Sequence, residues 1–211
     1  MFDQLLENTI LLFVAVDPIA LVPIFASLTQ GLNKGDIKKI YIQATIVSFF
    51  VLSLFYIFGT AILDLMGISM SSFKIIGGLF LVVIAFQMVL EQRQTRRQNT
   101  AEVALDDESI QSLAIFPLAI PLIAGPGAMT TALLIAENNT SNTTEILINF
   151  IPILIIVILV AFSMWLSASL SKKVGPTIII VVQKIFGILL GALAIEFVVA
   201  GILESFKLQG F

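Results

Sequence analysis

Six long apolar runs, separated by short polar stretches, make up almost the whole chain. They lie at roughly Leu5 to Leu28, Ile40 to Leu63, Phe73 to Leu90, Leu113 to Ala136, Ile146 to Ser169 and Ile178 to Leu203. Each is close to or above the ~20 residues that a helix needs to cross a bilayer, so the pattern predicts six membrane-spanning helices. The linkers between them (Gln30 to Lys39, Asp64 to Ser72, Glu91 to Ser112, Glu137 to Glu145, Leu170 to Thr177) leave no room for a soluble domain. The expectation is a single transmembrane domain over residues 1–211. The first run follows Asp3 and Glu7 rather than a basic segment, and no small-residue cleavage site comes after it, so it is expected to stay as helix 1.

Basic residues fall on alternate linkers. Lys34, Lys38, Lys39, Arg93, Arg96, Arg97, Lys172 and Lys173 share one side, whereas the other side holds only Lys207. By the positive-inside rule the basic linkers are cytoplasmic and both termini lie outside. The stretch Glu137 to Thr144, with overlapping N-x-[ST] acceptors, agrees with an external linker 4/5. The expected location is the plasma or inner membrane, crossed several times.

Composition narrows the function. The chain is 58% hydrophobic and 12% charged, with a mean hydropathy of +1.07, against roughly 45–50% and about 25% in soluble domains. It has no Cys, which excludes disulfide and thiol chemistry, and no His, which excludes zinc-protease, Ser-His and imidazole-shuttle sites. The net charge of -3 gives no basic surplus for nucleic acid. An intramembrane aspartyl protease would need two membrane carboxylates in register, and only Asp17 is central. No enzymatic activity, cofactor or metal site is therefore expected.

The six runs contain a repeat. Pro18 and Pro126 are 108 positions apart, as are Gly67 and Gly175, while Lys74-Ile75-Ile76-Gly77 matches Lys184-Ile185-Phe186-Gly187 at 110. This predicts two three-helix units, about 1–92 and 113–211, joined by a cytoplasmic linker of about 93–112. Three is odd, so the second unit enters the membrane from the opposite face, an inverted repeat like those of many secondary transporters.

Five of the seven prolines crowd into two runs: Pro18 and Pro23 in the first, Pro117, Pro121 and Pro126 in the fourth. Each removes an N–H and frees the carbonyl four residues before it. Such backbone survives at membrane depth only inside protein or beside a wet cavity. Asp17-Pro18 reads as an N-cap followed by a first helical residue, and Gly125-Pro126 repeats that arrangement. Helices 1 and 4 are thus expected to be discontinuous, each with a second half whose positive end points into the bilayer centre and attracts anions. Gly125 and Gly127 would leave that backbone open to a ligand.

Charges inside the runs are Asp17, Lys74, Lys184 and Glu196. Lys74 and Lys184 are expected to be structural, snorkelling from near the helix ends. Asp17, a central carboxylate, is a functional candidate and also a candidate structural cap. Glu196 reads equally as a proton carrier or a snorkelling group. Gly77, Gly78, Gly187 and Gly191 suit close helix packing.

With D-P-I-A-L-V-P-I-F in helix 1 and P-L-A-I-P-L-I-A-G-P-G-A-M-T-T in helix 4, the chain resembles, over essentially its whole length, the MarC family, including the SnatA-type small neutral amino-acid transporters of archaea. The resemblance implies ion-driven transport of glycine, alanine and similar amino acids through a bundle with discontinuous helices 1 and 4. The residues suit that task. The helix start at Gly125, Pro126, Gly127 and Ala128, through its free N–H groups and the Thr130 and Thr131 hydroxyls a turn on, offers donors to a carboxylate. Asp17, with Pro18, Ile19 and Ala20 behind it, offers an acceptor to an ammonium, H+ or Na+. Asp17 and Glu196 are the ion-coupling candidates. A passive channel for small polar solutes is the alternative, since it shares the half-helices without needing a titratable group. The bilayer is the expected surrounding, and a homo-oligomer is compatible with everything read here.

The topology is directly testable. Cysteines placed in linkers 1/2, 3/4 and 5/6 should resist an impermeant thiol reagent applied to intact cells, and those in linker 4/5 should react. External labelling between Glu91 and Ser112 would overturn the orientation.

Overall fold

A computed structural model describes residues 2–29, 32–92, 113–137, 143–170 and 176–208, all of which are helical or in short connections. Among the described residues seven α-helices follow in chain order: α1 (Phe2–Val16), α2 (Pro18–Leu28), α3 (Lys34–Leu65), α4 (Met70–Val89), α5 (Pro126–Glu137), α6 (Thr143–Leu170) and α7 (Pro176–Leu208). An irregular helical segment, Ala114–Ile123, precedes α5 and is bent from it by 58°. Five helices are long and apolar enough to cross a membrane, and the bent pair makes a sixth candidate. Arg93, Arg96, Arg97, Lys172, Lys173, Gly175, the linker 93–112 and the Asn-rich positions 138–142 lie outside the described residues.

Helix ends follow local chemistry rather than the edges of the apolar runs. Asn33 caps α3, its side chain accepting from the Asp36 N–H at 3.0 Å, so that helix takes in a polar first turn before its apolar run. Ser69 caps α4 in the same way, accepting from the Ser72 N–H at 3.2 Å. Between α3 and α4 the chain reverses through Gly67 at φ +68, a conformation natural to glycine.

Burial separates a centre from a sheath. In the first span (Asp3–Ala26) 67% of the most apolar window is buried, against 22–33% for α3, α4, α6 and α7. In α5, nine of the twelve residues, including every one from Thr130 to Ala136, are buried. The interrupted spans therefore occupy the middle, where Leu12, Val16, Leu21, Leu118, Leu122 and Ala128 share one apolar cluster. The sheath turns Phe50, Ile158, Trp165 and Ile188 outward, the surface expected of a chain solvated by lipid.

The sheath helices are tied to one another and to the centre by specific contacts. Gly78 lies against Val198 and the Ala194 carbonyl, Gly187 against Met88 and the Ala85 carbonyl, and Gly201 against the Ser71 carbonyl, so α4 and α7 run antiparallel at close approach. The small residues singled out in the sequence are used for packing. Lys74 does not simply snorkel: its ammonium meets Glu137 at 2.5 Å and Glu204 at 2.8 Å, joining α4 to the last residue of α5 and to the end of α7. At the other end of the same pair Lys184 meets Glu91 at 2.6 Å. At 1.5 Å per residue the two clusters are about 25–30 Å apart, close to the thickness of a hydrocarbon core. Tyr56 donates to the Ile146 carbonyl at 2.7 Å, fastening α3 to the start of α6.

The helix contact predicts opposite outcomes for one substitution at two glycines. A Cβ at Gly78 would lie 2.8 Å from the Ala194 carbonyl oxygen, whereas one at Gly191 would meet the Ala85 Cβ at an ordinary 3.5 Å. Gly78→Ala should lower the thermal midpoint of the detergent-solubilised protein, by the equivalent of ~1–3 kcal/mol. Gly191→Ala should leave it unchanged or raise it. Equal midpoints for the two variants would contradict the packing.

Candidate functional site

The first break is a single residue wide. Asp17 has φ +56, a left-handed conformation that Asp and Asn tolerate better than most side chains. Its own N–H still closes α1 by donating to the Phe13 carbonyl at 2.8 Å, and Pro18, which has no N–H to satisfy, starts α2. The carboxylate then folds over the new helix start: Oδ1 accepts from the Ala20 N–H at 3.2 Å. Asp17 is the cap expected from the Asp-Pro pair, and the positive end of α2 favours its negative charge.

The cap is only half of its bonding. Oδ2 accepts from Nε2 of Gln183, on α7, at 3.0 Å. Asp17 is 2% and Gln183 4% exposed, so a carboxylate and an amide from opposite ends of the chain meet in a place closed to solvent. Sequence reasoning missed Gln183. Its signal was present, a lone amide within an apolar run, but attention went to the charged residues on either side. Gln183 stands one turn before Gly187, which packs on Ala85, Met88 and Val89, so this bond lies beside the last turn of α4.

The second break is wider. Residues preceding proline are pushed out of the helical region, and both Phe116 (φ -125, ψ 125) and Ile120 (φ -128, ψ 122) are extended. The fourth span is thus irregular from Phe116 onward, not only at Gly125 as its sequence suggested. Ala124 donates back to the Ala119 carbonyl at 2.8 Å in a wide turn, and the Gly125 carbonyl accepts from Met129 at 2.9 Å to open α5. A Cβ at Gly125 would lie 2.5 Å from the Pro121 carbonyl oxygen, so only glycine fits this cap.

Other expected site residues are distributed unevenly. Pro18 and Ala20 are buried and Ile19 partly so; Gly127 and Ala128 are buried, while Pro126 is exposed. Gly127 faces Ile84 and Leu81 in the middle of α4, so its missing side chain accommodates helix packing. The Thr130 methyl fills the space above Gly77. Thr131 is fully buried, and its hydroxyl has no hydrogen-bond partner, a state it shares with Ser53. An unpaired buried hydroxyl costs about 1–3 kcal/mol, which a bound ligand group would recover. Glu196 points outward from α7, exposed, whereas Asp17 faces the interior. No three His, Cys, Asp or Glu side chains among the described residues converge on a point that could hold a metal ion.

Comparison with known proteins agrees with this architecture. Residues 2–206 match the family described as MarC family integral membrane protein. A UPF0056 membrane protein of Archaeoglobus fulgidus is 34% identical over 194 residues, covering 92% of this chain and 90% of that protein. The UPF0056 membrane protein YvbG of Bacillus subtilis is 29% identical over 98% of this chain and 97% of its own. YhcE of Escherichia coli, also named a UPF0056 membrane protein, is 32% identical over 90% and 88%. No solved structure matches.

The geometry of Asp17 makes a stability prediction that does not depend on function. Asp17→Asn should keep both the cap and the left-handed backbone and leave the thermal midpoint in detergent almost unchanged. Asp17→Ala loses the cap, strains a positive φ and leaves the Gln183 amide unpaired; the expected loss is about 2–3 kcal/mol. Equal midpoints for Asp17→Ala and wild type would remove the capping role.

Proposed function

We propose that this chain, which belongs to the MarC family of integral membrane proteins, is a secondary transporter of small neutral amino acids of the glycine, alanine and serine class, driven by an H+ or Na+ gradient. The observation that carries the reading is Asp17, a carboxylate 2% exposed at a break inside an apolar span and bonded to a second span. Burying such a group is costly, and in membrane proteins it marks ion or substrate pathways.

Three features support the finer reading. The fourth span is interrupted as well, and α5 begins there with glycine-capped N–H groups and the unpaired Thr131 hydroxyl beyond them, suited to a substrate carboxylate. The antiparallel α4 and α7 carry mirrored ion pairs, Lys74 with Glu204 and Lys184 with Glu91, as two inverted three-helix units would produce. The likeness of the helix 1 and helix 4 motifs to those of SnatA-type carriers is the third. In this reading helices 1 and 4 are the discontinuous pair of a SnatA-type carrier. The protein sits in the plasma or inner membrane with both termini outside and has no enzymatic activity or cofactor.

Proteoliposomes test this. Labelled glycine or alanine should accumulate under an imposed H+ or Na+ gradient, because one coupled charge moving through 100 mV supplies about 2.3 kcal/mol, roughly a fifty-fold concentration ratio. Labelled substrate should also show counterflow, which a passive pore does not. Asp17→Asn should lower accumulation at least about tenfold while counterflow persists. Flux without counterflow would establish the channel instead, and full accumulation in Asp17→Asn would reduce Asp17 to a cap.

A further inference from the structure

A carboxylate closed off from water has a problem in each of its charge states. Ionised, it needs N–H or O–H donors on its oxygens; protonated, it presents a donor of its own and needs an acceptor. At Asp17 the Ala20 N–H is fixed by the helix and can serve only as a donor, to Oδ1. The partner on Oδ2 is different in kind. Gln183 is a primary amide, which carries an NH2 donor and a carbonyl acceptor side by side, and a half-turn about its last torsion exchanges them. A Lys or Arg in its place would hold Asp17 ionised, and an apolar residue would favour the protonated acid.

We infer that Gln183 is a positioning residue for a proton on Asp17. It bonds the carboxylate through Nε2, as seen at 3.0 Å, and the carboxylic acid through Oε1, so that Asp17 gains and loses one proton with both states paired. The step balances simply: the carboxylate takes one H+ from the aqueous phase, no other bond breaks, and the site gains one positive charge. Both hydrogen bonds described come from N–H groups, the natural partners of an anion. The pair also joins the break in the first span to α7.

Other titratable groups on the helices packed against α1 and α2 are engaged elsewhere or remote in their helices. Glu137, the last residue of α5, and Glu204 on α7 are bonded to Lys74; Lys184 is bonded to Glu91. Glu145 lies in the first turn of α6, Glu196 is exposed, and Lys207 is in the last turn of α7. The Ala114–Ile123 segment contains no titratable residue.

The coupling role rests on the transport reading; the pair itself does not, and one preparation separates the two. Infrared difference spectra of the lipid-reconstituted protein, titrated with acid, should contain a carboxylic C=O band that disappears in Asp17→Asn. In Gln183→Leu the ion loses its stronger bond, so the band should persist to higher pH than in wild type. In Gln183→Lys it should be displaced to lower pH, and proton-driven alanine accumulation should fall at least about tenfold with counterflow retained. A lysine lowers the band's pH beside any carboxylate, so the neutral Gln183→Leu decides, with Gln183→Met in its place if that variant fails to fold; a purely structural amide would leave the band where it is in wild type. A band unmoved in a folded variant, or one governed by Na+ rather than pH, overturns the proposal. Wild-type liposomes that show neither accumulation nor counterflow would instead overturn the transport reading, while the spectra still decide the pair.

Discussion

Every backbone N–H and C=O within the hydrocarbon layer must find a partner inside the protein, because lipid offers none. In this chain that constraint bears hardest on the prolines of the first and fourth spans. Pro117, Pro121 and Pro126 turn a potential helix into extended residues at Phe116 and Ile120, a wide turn at Ala124 and a restart at Pro126. α3, α4, α6 and α7 carry most of the exposed apolar surface and surround α1, α2 and α5, while in the irregular segment Phe116 and Ile120 turn outward and Pro117, Leu118, Ala119 and Leu122 are buried.

Enclosure brings polar groups together. Asp17 is needed to cap α2 and, once buried, requires further bonding that only another span can provide; Gln183 of α7 supplies it. Asn8 of α1 and Asn149 of α6 face each other in the same interior, 3.5 Å apart. The exterior is apolar and the interior carries the amides and the carboxylate, the reverse of a soluble protein. At the two ends of the α4–α7 pair, where side chains meet the headgroup region, ion pairs replace amides. Lys74 is placed to restrain the last residue of α5, the second half of the broken span, against both helices of that pair.

The half-helices differ in chemistry although their sequences share a pattern. That of α2 is neutralised by an anionic cap which is itself bonded to α7. That of α5 is capped by a glycine and is followed by an unpaired buried hydroxyl at Thr131. In the carrier proposed above, the first break holds a positive charge and the second a negative one, an asymmetry that a symmetric pair of kinks would not provide.

Hydrophobic runs, prolines and the Asp-Pro pair are local, and they were enough to indicate an all-helical membrane protein of five or six apolar helices and the capping role of Asp17. Each depends on chain length in the bilayer or on a backbone group within four residues. The extent of the second break was already implicit in the residues before Pro117 and Pro121, although the capping pattern at Gly125 drew attention away from it. Other features depended on side chains from different helices, far apart in the chain. Gln183 carries no charge and sits in an unremarkable apolar run, so nothing short of the packing of α7 against the first span could pair it with Asp17. The outward turn of Glu196, the engagement of Lys74 by Glu137 and Glu204, and the use of Gly127 against Ile84 were likewise decided by helix rotation and register. An all-round apolar helix does not encode its own rotation, because lipid and protein interior attract the same side chains; only contact with its neighbours fixes it.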